Sequence, residues 1–217
     1  MISNVEPIGV FGGSFDPIHF GHLNCAMQIF EKLKLSEIRF IPSGNPVHRN
    51  KHFASSLQRL EMIEIAIENR PMFKVDSREI KRDGPSWTAL TLEELRASNK
   101  FRSISLIVGL DSFLNLPQWH RWESLLGFAN IVVANRPGFE LPNDGLLREL
   151  LLKREVKDIY ELHQNLFGKI FLCEIKELDI SSSLIRQLLL SGKTINYLLP
   201  EPVIRFIKET KCYPMNN

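Results

Sequence analysis

Short, continuous runs of apolar residues recur along the chain and are separated by polar or glycine-rich turns. Such runs are typical of strands in the middle of a parallel sheet, because these strands are covered on both faces. The runs at residues 104–109 and 131–134 contain almost no polar side chain and are predicted to be central strands. In all, the pattern predicts strands at residues 8–11, 38–41, 73–80, 104–109, 131–134 and 170–174.

Between these runs, apolar residues recur at every third or fourth position, which is the spacing of one face of an α-helix. The first such stretch carries a stripe formed by Leu23, Ala26, Met27, Phe30 and Leu33. The second carries an apolar stripe, predicted to be buried, formed by Leu57, Leu60, Ile63 and Ile67. Helices are predicted at residues 21–34, 57–68, 88–98, 182–191 and 202–208, whereas the pattern of residues 140–168 indicates no element. Ser86 or Thr88 is expected to cap the third helix.

The alternation of strands and helices predicts an α/β fold with a doubly wound parallel sheet in three layers. Ligands bind such sheets beyond the carboxyl ends of the strands. The 217 residues fit a single domain, with a core over residues 7–190 and a short helical C-terminal part over residues 191–217. Residues 42–54, which are rich in proline and basic side chains, are expected to form a surface loop beside the ligand site.

Charge and composition narrow the possible partners. The 27 basic and 25 acidic residues give a net charge of +2, so no global field favours a nucleic-acid polymer or an anionic membrane. No apolar stretch is long enough to span a bilayer, and the first residues lack the pattern of a signal peptide, so a cytoplasmic location is expected. Oligomeric state is not indicated.

Three cysteines, Cys25, Cys173 and Cys212, are widely spaced and form no Cys-x-x-Cys pair. This pattern fits reduced, structural thiols better than disulfides or a zinc site.

A dense motif at residues 12–22 joins the first predicted strand to the first predicted helix. It reads Gly-Gly-Ser-Phe-Asp-Pro-Ile-His-Phe-Gly-His. Loop amides and the positive end of a helix dipole at this position favour a phosphate group. The motif contains no lysine, and its glycine spacing differs from that of the common phosphate-loop and dinucleotide fingerprints.

His19 and His22 are three residues apart and are expected to project from nearly the same face of the helix. Both can donate to one ligand, and protonation near neutral pH would strengthen their stabilisation of a phosphoryl group in transfer. Gly21 is expected to leave space for close approach of backbone or base. Asp16 is expected to shape the loop, because a carboxylate beside a triphosphate would repel it.

A second motif, Ile-Ser-Ser-Ser-Leu-Ile-Arg at residues 180–186, opens a late helix. Its hydroxyl groups, the free amides of the first turn and the guanidinium of Arg186 are expected to converge on an anion.

The first motif is similar to the Gly-x-Phe-Asp-Pro-x-His-x-Gly-His signature of the nucleotidyltransferase superfamily related to class I aminoacyl-tRNA synthetases. The second resembles the superfamily's Ile-Ser-Ser-Thr-x-Ile-Arg element, which binds the β- and γ-phosphates, with Ser183 in place of threonine. The resemblance implies a Rossmann-like sheet. It also implies His19, His22 and Arg186 as catalytic residues and an ATP site formed by Gly12, Gly13, Ser14, Phe15, His19, Gly21, His22, Gly109, Asp111, Ser181, Ser182, Ser183 and Arg186.

Further segments resemble one branch of that superfamily, the bacterial nicotinate-nucleotide adenylyltransferases. They are residues 45–49, 85–88, 109–112, 119, 136–138 and 198–203. Trp87 stands where the branch usually has tyrosine, Asn135 where arginine is frequent and Val47 where a second proline is common. The resemblance implies that the second substrate contacts His48, Arg49, Ser86, Trp87, Thr88, Trp119 and Arg136.

Within this interpretation Thr88 borders the pyridine ring by its backbone amide and Trp119 by stacking, since an indole face suits a flat heterocycle. The basic groups of His48, Arg49 and Arg136 could neutralise a phosphate. Asp111 could accept a hydrogen bond from a ribose hydroxyl, although a turn or cap role is equally compatible with its position.

The expected reaction is adenylyl transfer from ATP to nicotinate mononucleotide, giving nicotinate adenine dinucleotide and pyrophosphate. Mg²⁺ is expected to arrive with ATP, without a protein metal site. Nicotinamide mononucleotide remains an alternative acceptor, whereas phosphopantetheine or glycerol phosphate fits the length and motifs less well. A four-histidine metal site at His19, His22, His48 and His52 leaves the glycine and serine motifs unexplained, and a tRNA-binding module lacks its basic stripe.

Overall fold

A single parallel sheet forms the centre of the molecule. The computed structural model describes residues 6–45, 53–135 and 141–214. Its strands are β1 (Ile8–Gly13), β2 (Glu37–Pro42), β3 (Phe73–Val75), β4 (Ile104–Gly109), β5 (Asn130–Asn135), β6 (Glu155–Val156) and β7 (Ile170–Glu174). They are ordered β3-β2-β1-β4-β5-β7-β6, and every recorded pairing is parallel. The predicted doubly wound, Rossmann-like sheet is therefore confirmed.

Helices connect the strands. They are α1 (Phe20–Lys32), α2 (Ser56–Ile67), α3 (Arg78–Lys81), α4 (Thr88–Ser98), α5 (Leu110–Leu114), α6 (Gly145–Arg154), α7 (Ile159–Gln164), α8 (Ser182–Leu190) and α9 (Glu201–Thr210), with 3-10 helices at Leu116–Gln118 and Trp122–Gly127. Within the described ranges, none of the helices combines the length and the apolar character that crossing a membrane requires.

The two faces of the sheet carry separate hydrophobic clusters, which makes three layers. On β5, Val132 and Ala134 belong to the cluster that includes α1, α2, α8 and α9. The alternate residues, Ile131 and Val133, belong to the cluster under α4, α5 and α6. This alternation follows from the two-residue period of a strand.

The strand order reverses between β1 and β4. The chain passes from β1 through α1 to β2 on one side, whereas β4 pairs with the other side of β1. In open parallel sheets this reversal opens a crevice beyond the carboxyl ends of the strands, and α1 begins beside it. The fold thereby places residues 12–22 at the ligand-binding edge.

The predicted strand at residues 73–80 is wrong in its second half. β3 ends at Val75, and residues 78–81 form the short helix α3. The Asp76 carboxylate accepts a hydrogen bond from the Arg78 backbone at 3.1 Å and pairs with its guanidinium at 2.8 Å. Local side-chain bonds of this kind compete with strand pairing.

Residues 141–168, for which the pattern indicated no element, contain α6, β6 and α7. In α6, Leu147 and Leu151 are buried while Leu146 and Leu152 are exposed. Apolar side chains therefore lie on both faces of this helix, which obscures the period.

Candidate active site

A pocket of about 240 Å³ lies at the carboxyl ends of β1, β2 and β4. Its lining combines aliphatic strand residues with glycines, hydroxyl groups and one acid. The polar, glycine and aromatic lining residues are Gly12, Gly13, Ser14, Ser43, Glu79, Ser86, Thr88, Thr91, Ser112 and Trp119. A pocket of this composition can hold a flat heterocycle and a few hydrogen-bonding groups.

The loop after β1 begins with two glycines that differ in their surroundings. A Cβ atom at Gly12 would meet no atom within 4 Å, whereas one at Gly13 would lie 3.1 Å from the Phe15 ring. Phe15 itself is 1% exposed and packs edge to face against Phe11 and Phe40. Its side chain belongs to the core, so only its backbone can serve the predicted ATP site.

His19 and His22 stack on each other, as their spacing predicted. Their ring centroids are 3.7 Å apart with an interplanar angle of 26°. His19 is 4% exposed, and the Nδ1 atoms of both rings have no hydrogen-bond partner among the described residues. No hydrogen bond at Nδ1 from a described residue therefore determines which ring nitrogen of His19 or His22 carries the proton.

Burial changes the charge state of the pair. It lowers the pKa of His19 to about 4. Burial, followed by the proximity of His19, holds the pKa of His22 well below its ordinary value. In the ligand-free protein the low pKa of His19 keeps its ring neutral near neutral pH, because the ring has little access to water that would solvate a positive charge. Protonation during phosphoryl transfer stays a prediction for the nucleotide complex.

Gly21 is required by a close approach within the protein. A Cβ atom at this position would lie 2.9 Å from the His19 ring and 3.1 Å from the backbone oxygen of Ile180. The expected close approach of backbone to Gly21 is therefore confirmed, and it allows the segment before α8 to pack against the start of α1.

The second motif contacts the first. Ser181 caps α8, and its hydroxyl accepts from the Leu184 amide at 3.1 Å. The Ser182 hydroxyl donates to the Pro17 carbonyl at 2.9 Å. Arg186 donates to the Asp16 carbonyl at 2.5 Å and to the Ser183 hydroxyl at 3.1 Å.

Asp16 is buried, and its carboxylate points into the protein. It accepts from the backbone amides of Phe53 at 3.0 Å and Ala54 at 3.2 Å. These contacts agree with the expectation that Asp16 shapes the loop.

Arg59 is a residue that sequence reasoning missed. It is fully buried and donates to the backbone oxygens of Ser14 at 2.7 Å and Ser43 at 2.5 Å. It therefore joins the loop after β1 to the end of β2. Leu57, which was predicted to lie on the buried stripe of this helix, is 66% exposed instead.

Glu79 and Ser86 organise the other side of the pocket. Burial raises the pKa of Glu79, whose carboxyl accepts from the Thr91 hydroxyl at 2.6 Å. The Ser86 hydroxyl accepts from the backbone amides of Gly44 and Asn45 at 2.9 and 3.0 Å. Neither Ser86 nor Thr88 caps α4 as predicted, because Trp87 occupies the N-cap position without a side-chain bond.

Trp87 stacks on His120 with a centroid separation of 3.7 Å and an interplanar angle of 20°. This contact joins the start of α4 to the segment that carries Trp119. Thr88 and Trp119 both line the pocket, whereas Trp87 and His120 do not. The structure therefore brings together three of the predicted second-substrate residues: Ser86, Thr88 and Trp119.

Gly109 and Asp111 lie where β4 passes into α5, and both are exposed. Gly109 occupies the N-cap position, so the Asp111 side chain does not cap this helix. His48, Arg49 and Arg136 lie outside the described residues.

The described residues contain no group of three or more histidine, cysteine or acidic side chains that could hold a metal ion. Cys25, Cys173 and Cys212 are free, and burial raises the pKa of each thiol, that of Cys25 to about 12. Thiols with raised pKa values are poor nucleophiles, which fits the structural role that was predicted.

Comparison with known proteins identifies the family of this chain. The model of the family described as cytidylyltransferase-like matches residues 10–188. The chain is 42% identical over 207 residues to a probable nicotinate-nucleotide adenylyltransferase of Aeromonas hydrophila, covering 95% of this chain and 97% of the relative. It is also 42% identical over 206 residues to a probable nicotinate-nucleotide adenylyltransferase of Hydrogenovibrio crunogenus, with 95% and 97% covered.

A solved structure shows the same fold. It is the Plasmodium falciparum nicotinic acid mononucleotide adenylyltransferase complexed with NaAD. The TM-score is 0.73 at 21% sequence identity, over 97% of this chain and 98% of the other.

Proposed function

The chain belongs to the nicotinate-nucleotide adenylyltransferases of the cytidylyltransferase-like family, and on this premise we propose that it transfers the adenylyl group of ATP to nicotinate mononucleotide. The products are nicotinate adenine dinucleotide and pyrophosphate, in a step of NAD biosynthesis. The observation that carries the proposal is the contact between the two motifs, in which Arg186 and Ser182 bond to the backbone of Asp16 and Pro17.

The triphosphate binds where these motifs meet. The first turn of α8 presents backbone amides and the hydroxyl groups of Ser182 and Ser183, and Arg186 adds a fixed positive charge. His19 and His22 lie three to six residues beyond Asp16 along the same loop and helix. This arrangement supports assigning ATP to the β1 and α8 side of the crevice.

The histidines act first as neutral hydrogen-bond donors. The lowered pKa of His19 keeps its imidazole neutral at pH 7 in the free protein. The negative charge of a bound triphosphate favours the protonated form, so the pKa of each ring rises on binding. The pair thereby supplies more positive charge when the phosphate groups are present.

The acceptor occupies the pocket on the β2 and β4 side. Trp119 offers an aromatic face there, and the start of α4 at Thr88 offers backbone amides that suit a carboxylate. The Glu79 carboxyl, whose pKa is raised by burial, is already partnered by the Thr91 hydroxyl on the far side of this pocket. These features support nicotinate mononucleotide as the acceptor, together with the names of the relatives.

In the reaction, a phosphate oxygen of nicotinate mononucleotide attacks the α-phosphorus of ATP. The bond between the α-phosphorus and the bridging oxygen breaks, and pyrophosphate leaves with that oxygen. The attacking group is already an anion, so no general base is needed. His19, His22 and Arg186 contribute by positioning the phosphates and by stabilising charge on them.

Magnesium belongs to the substrate in this proposal, because Mg²⁺ commonly enters such sites bound to nucleotide phosphates and water. The three unpaired cysteines support a cytoplasmic location as a further part of the proposal.

The test is pyrophosphate release by the purified protein with ATP and Mg²⁺, with nicotinate mononucleotide and nicotinamide mononucleotide compared side by side. We expect kcat/KM to favour the nicotinate form by roughly tenfold or more, because amides placed for a carboxylate bind an uncharged amide less well. Equal or inverted preference would contradict the assigned acceptor. Pyrophosphate release with phosphopantetheine as the sole active acceptor would show a nucleotidyltransferase with a different acceptor and would refute nicotinate mononucleotide as the substrate.

A further inference from the structure

Tyr213, which follows α9, reaches the loop after β1 that belongs to the first sequence motif. It is 2% exposed, and its hydroxyl donates to Oδ1 of Asp16 at 2.7 Å. The two residues are 197 positions apart in the sequence. The segment after α9 therefore contacts the loop after β1 directly.

Asp16 connects this contact to the proposed triphosphate site. Its carboxylate binds the amides of Phe53 and Ala54, and its own carbonyl accepts from Arg186 at 2.5 Å. The Phe53 ring lies 5.1 Å from the Arg186 guanidinium and 6.4 Å from the Tyr213 ring. Two of the groups around the Arg186 guanidinium, the Asp16 carbonyl and the Phe53 ring, therefore belong to Asp16 or to its partners, while the third, the Ser183 hydroxyl, lies on α8 itself.

The hydroxyl of Tyr213 is a dependable donor in this place. Burial and the nearby charge of Asp16 hold the pKa of Tyr213 well above its ordinary value, so the hydroxyl keeps its proton. A buried carboxylate depends on such donors, because every lost hydrogen bond leaves part of its charge without compensation. Removing the hydroxyl would allow Asp16, and with it the Arg186 contact, to shift.

We propose that Tyr213 is a positioning residue for adenylyl transfer, which holds Asp16 and thereby sets Arg186 and the residue 14–19 loop for the triphosphate. The inference rests on the proposed function for its kinetic consequence. Among the described residues, Tyr213 reaches the Arg186 guanidinium through its hydrogen bond to Asp16 and through the Phe53 ring, so its effect is expected on the ATP side of the reaction.

The test replaces Tyr213→Phe, which removes the hydroxyl and keeps the ring. The matched control is Tyr160→Phe, because Tyr160 lies on α7 and is 56% exposed. Kinetic constants are measured well below the unfolding temperature, and thermal unfolding is followed for each variant. Affinity for α,β-methylene ATP with Mg²⁺ is measured by calorimetry.

We expect Tyr213→Phe to lower kcat/KM for ATP by roughly tenfold, with KM for the acceptor nearly unchanged, because a small misplacement of phosphate contacts costs rate. Affinity for the ATP analogue should fall in the same variant and stay constant in Tyr160→Phe. A lowered unfolding temperature with unchanged kinetic constants and unchanged analogue affinity would overturn the proposal and leave Tyr213 a purely structural residue.

A second variant tests the route through Asp16. If Tyr213 acts through Asp16, the double variant Asp16→Asn with Tyr213→Phe loses little more analogue affinity than Asp16→Asn alone. Additive losses would overturn this route. A wild-type protein that is inactive with every acceptor would refute the proposed function, while the analogue affinities of the variants would still decide the role of Tyr213.

Discussion

At the scale of single residues, the stacked imidazoles of His19 and His22 define the chemistry of the site. Two protonated rings at a centroid distance of 3.7 Å would repel each other, and burial penalises both charges further. The free protein therefore keeps a neutral pair that a polyanion can convert into a cationic one. Because a neutral imidazole still carries one N–H donor, the pair can donate hydrogen bonds to the phosphates at neutral pH.

Replacing His19→Ala is expected to lower kcat by a factor of about ten or more, because one donor to the transferring phosphate is lost. His19→Asn should retain more activity than the alanine variant, since its amide can still donate. Steady-state kinetics measure both changes, and circular dichroism verifies that the variants are folded. An unchanged kcat in folded His19→Ala would remove this residue from catalysis.

At the scale of elements, α2 supports both loops of the crevice through one side chain. Arg59 reaches from this helix to backbone oxygens of two segments, the loop after β1 and the end of β2. Because both carbonyls receive a charged donor inside the protein, their separation is fixed by the guanidinium.

Arg59→Met is expected to lower the free energy of unfolding by about 3 kcal/mol, because it leaves buried carbonyl groups without their donor. Arg70→Met is the matched control, since the Arg70 side chain, just beyond the end of α2, donates only to the Ala66 carbonyl among the recorded side-chain contacts. Urea denaturation measures both variants. Equal losses in the two would show that the Arg59 contacts contribute little to stability.

The same element shows how far the sequence predicts this protein. The central strands and α4 follow from local pattern, because their burial is continuous or strictly periodic, and the predicted bounds of α4 match those observed. In α2 the pattern favoured Leu57 as a buried residue, yet Arg59 occupies the interior. The partners of Arg59 lie 45 and 16 residues away, so no local spacing could reveal them.

The candidate site divides in the same way. Residues 12–22 and 180–186 are recognisable because the residues proposed to bind the phosphates are consecutive in the sequence of each motif. Glu79 and Tyr213 stand in no such motif, and their roles arise from contacts with Thr91 and Asp16 that only the folded chain creates. The same holds for the stacking of Trp87 on His120.

At the scale of the whole molecule, the buried histidines link stability to pH. The folded-state pKa of His19, about 4, lies below its ordinary value of 6.5, so the unfolded chain binds a proton more readily in this window. Stability is therefore complete above about pH 6.5 and is lost as the pH falls towards 4. His22 acts in the same direction. The raised pKa of Glu79 acts in the opposite direction, since its contribution declines as the pH rises above its ordinary value of 4.5.

We expect the free energy of unfolding to fall between pH 6.5 and pH 5 by up to about 1.4 kcal/mol per pH unit through His19, with His22 contributing in the same direction. Urea denaturation across this range measures the slope. The double variant His19→Asn with His22→Asn should give a shallower slope than the wild type. Parallel slopes would mean that other groups control the acid sensitivity.

The contacts of Asp16 also bear on how the chain matures as it leaves the ribosome. Its bonds to Arg186 and Tyr213 close over 170 and 197 positions of sequence. A nascent chain that has already paired β1 with β2 and β4 still lacks the guanidinium and the hydroxyl that hold its first loop. The first loop therefore acquires its full set of contacts only after residue 213 has left the ribosome, and ATP is expected to stabilise only a chain translated beyond that point.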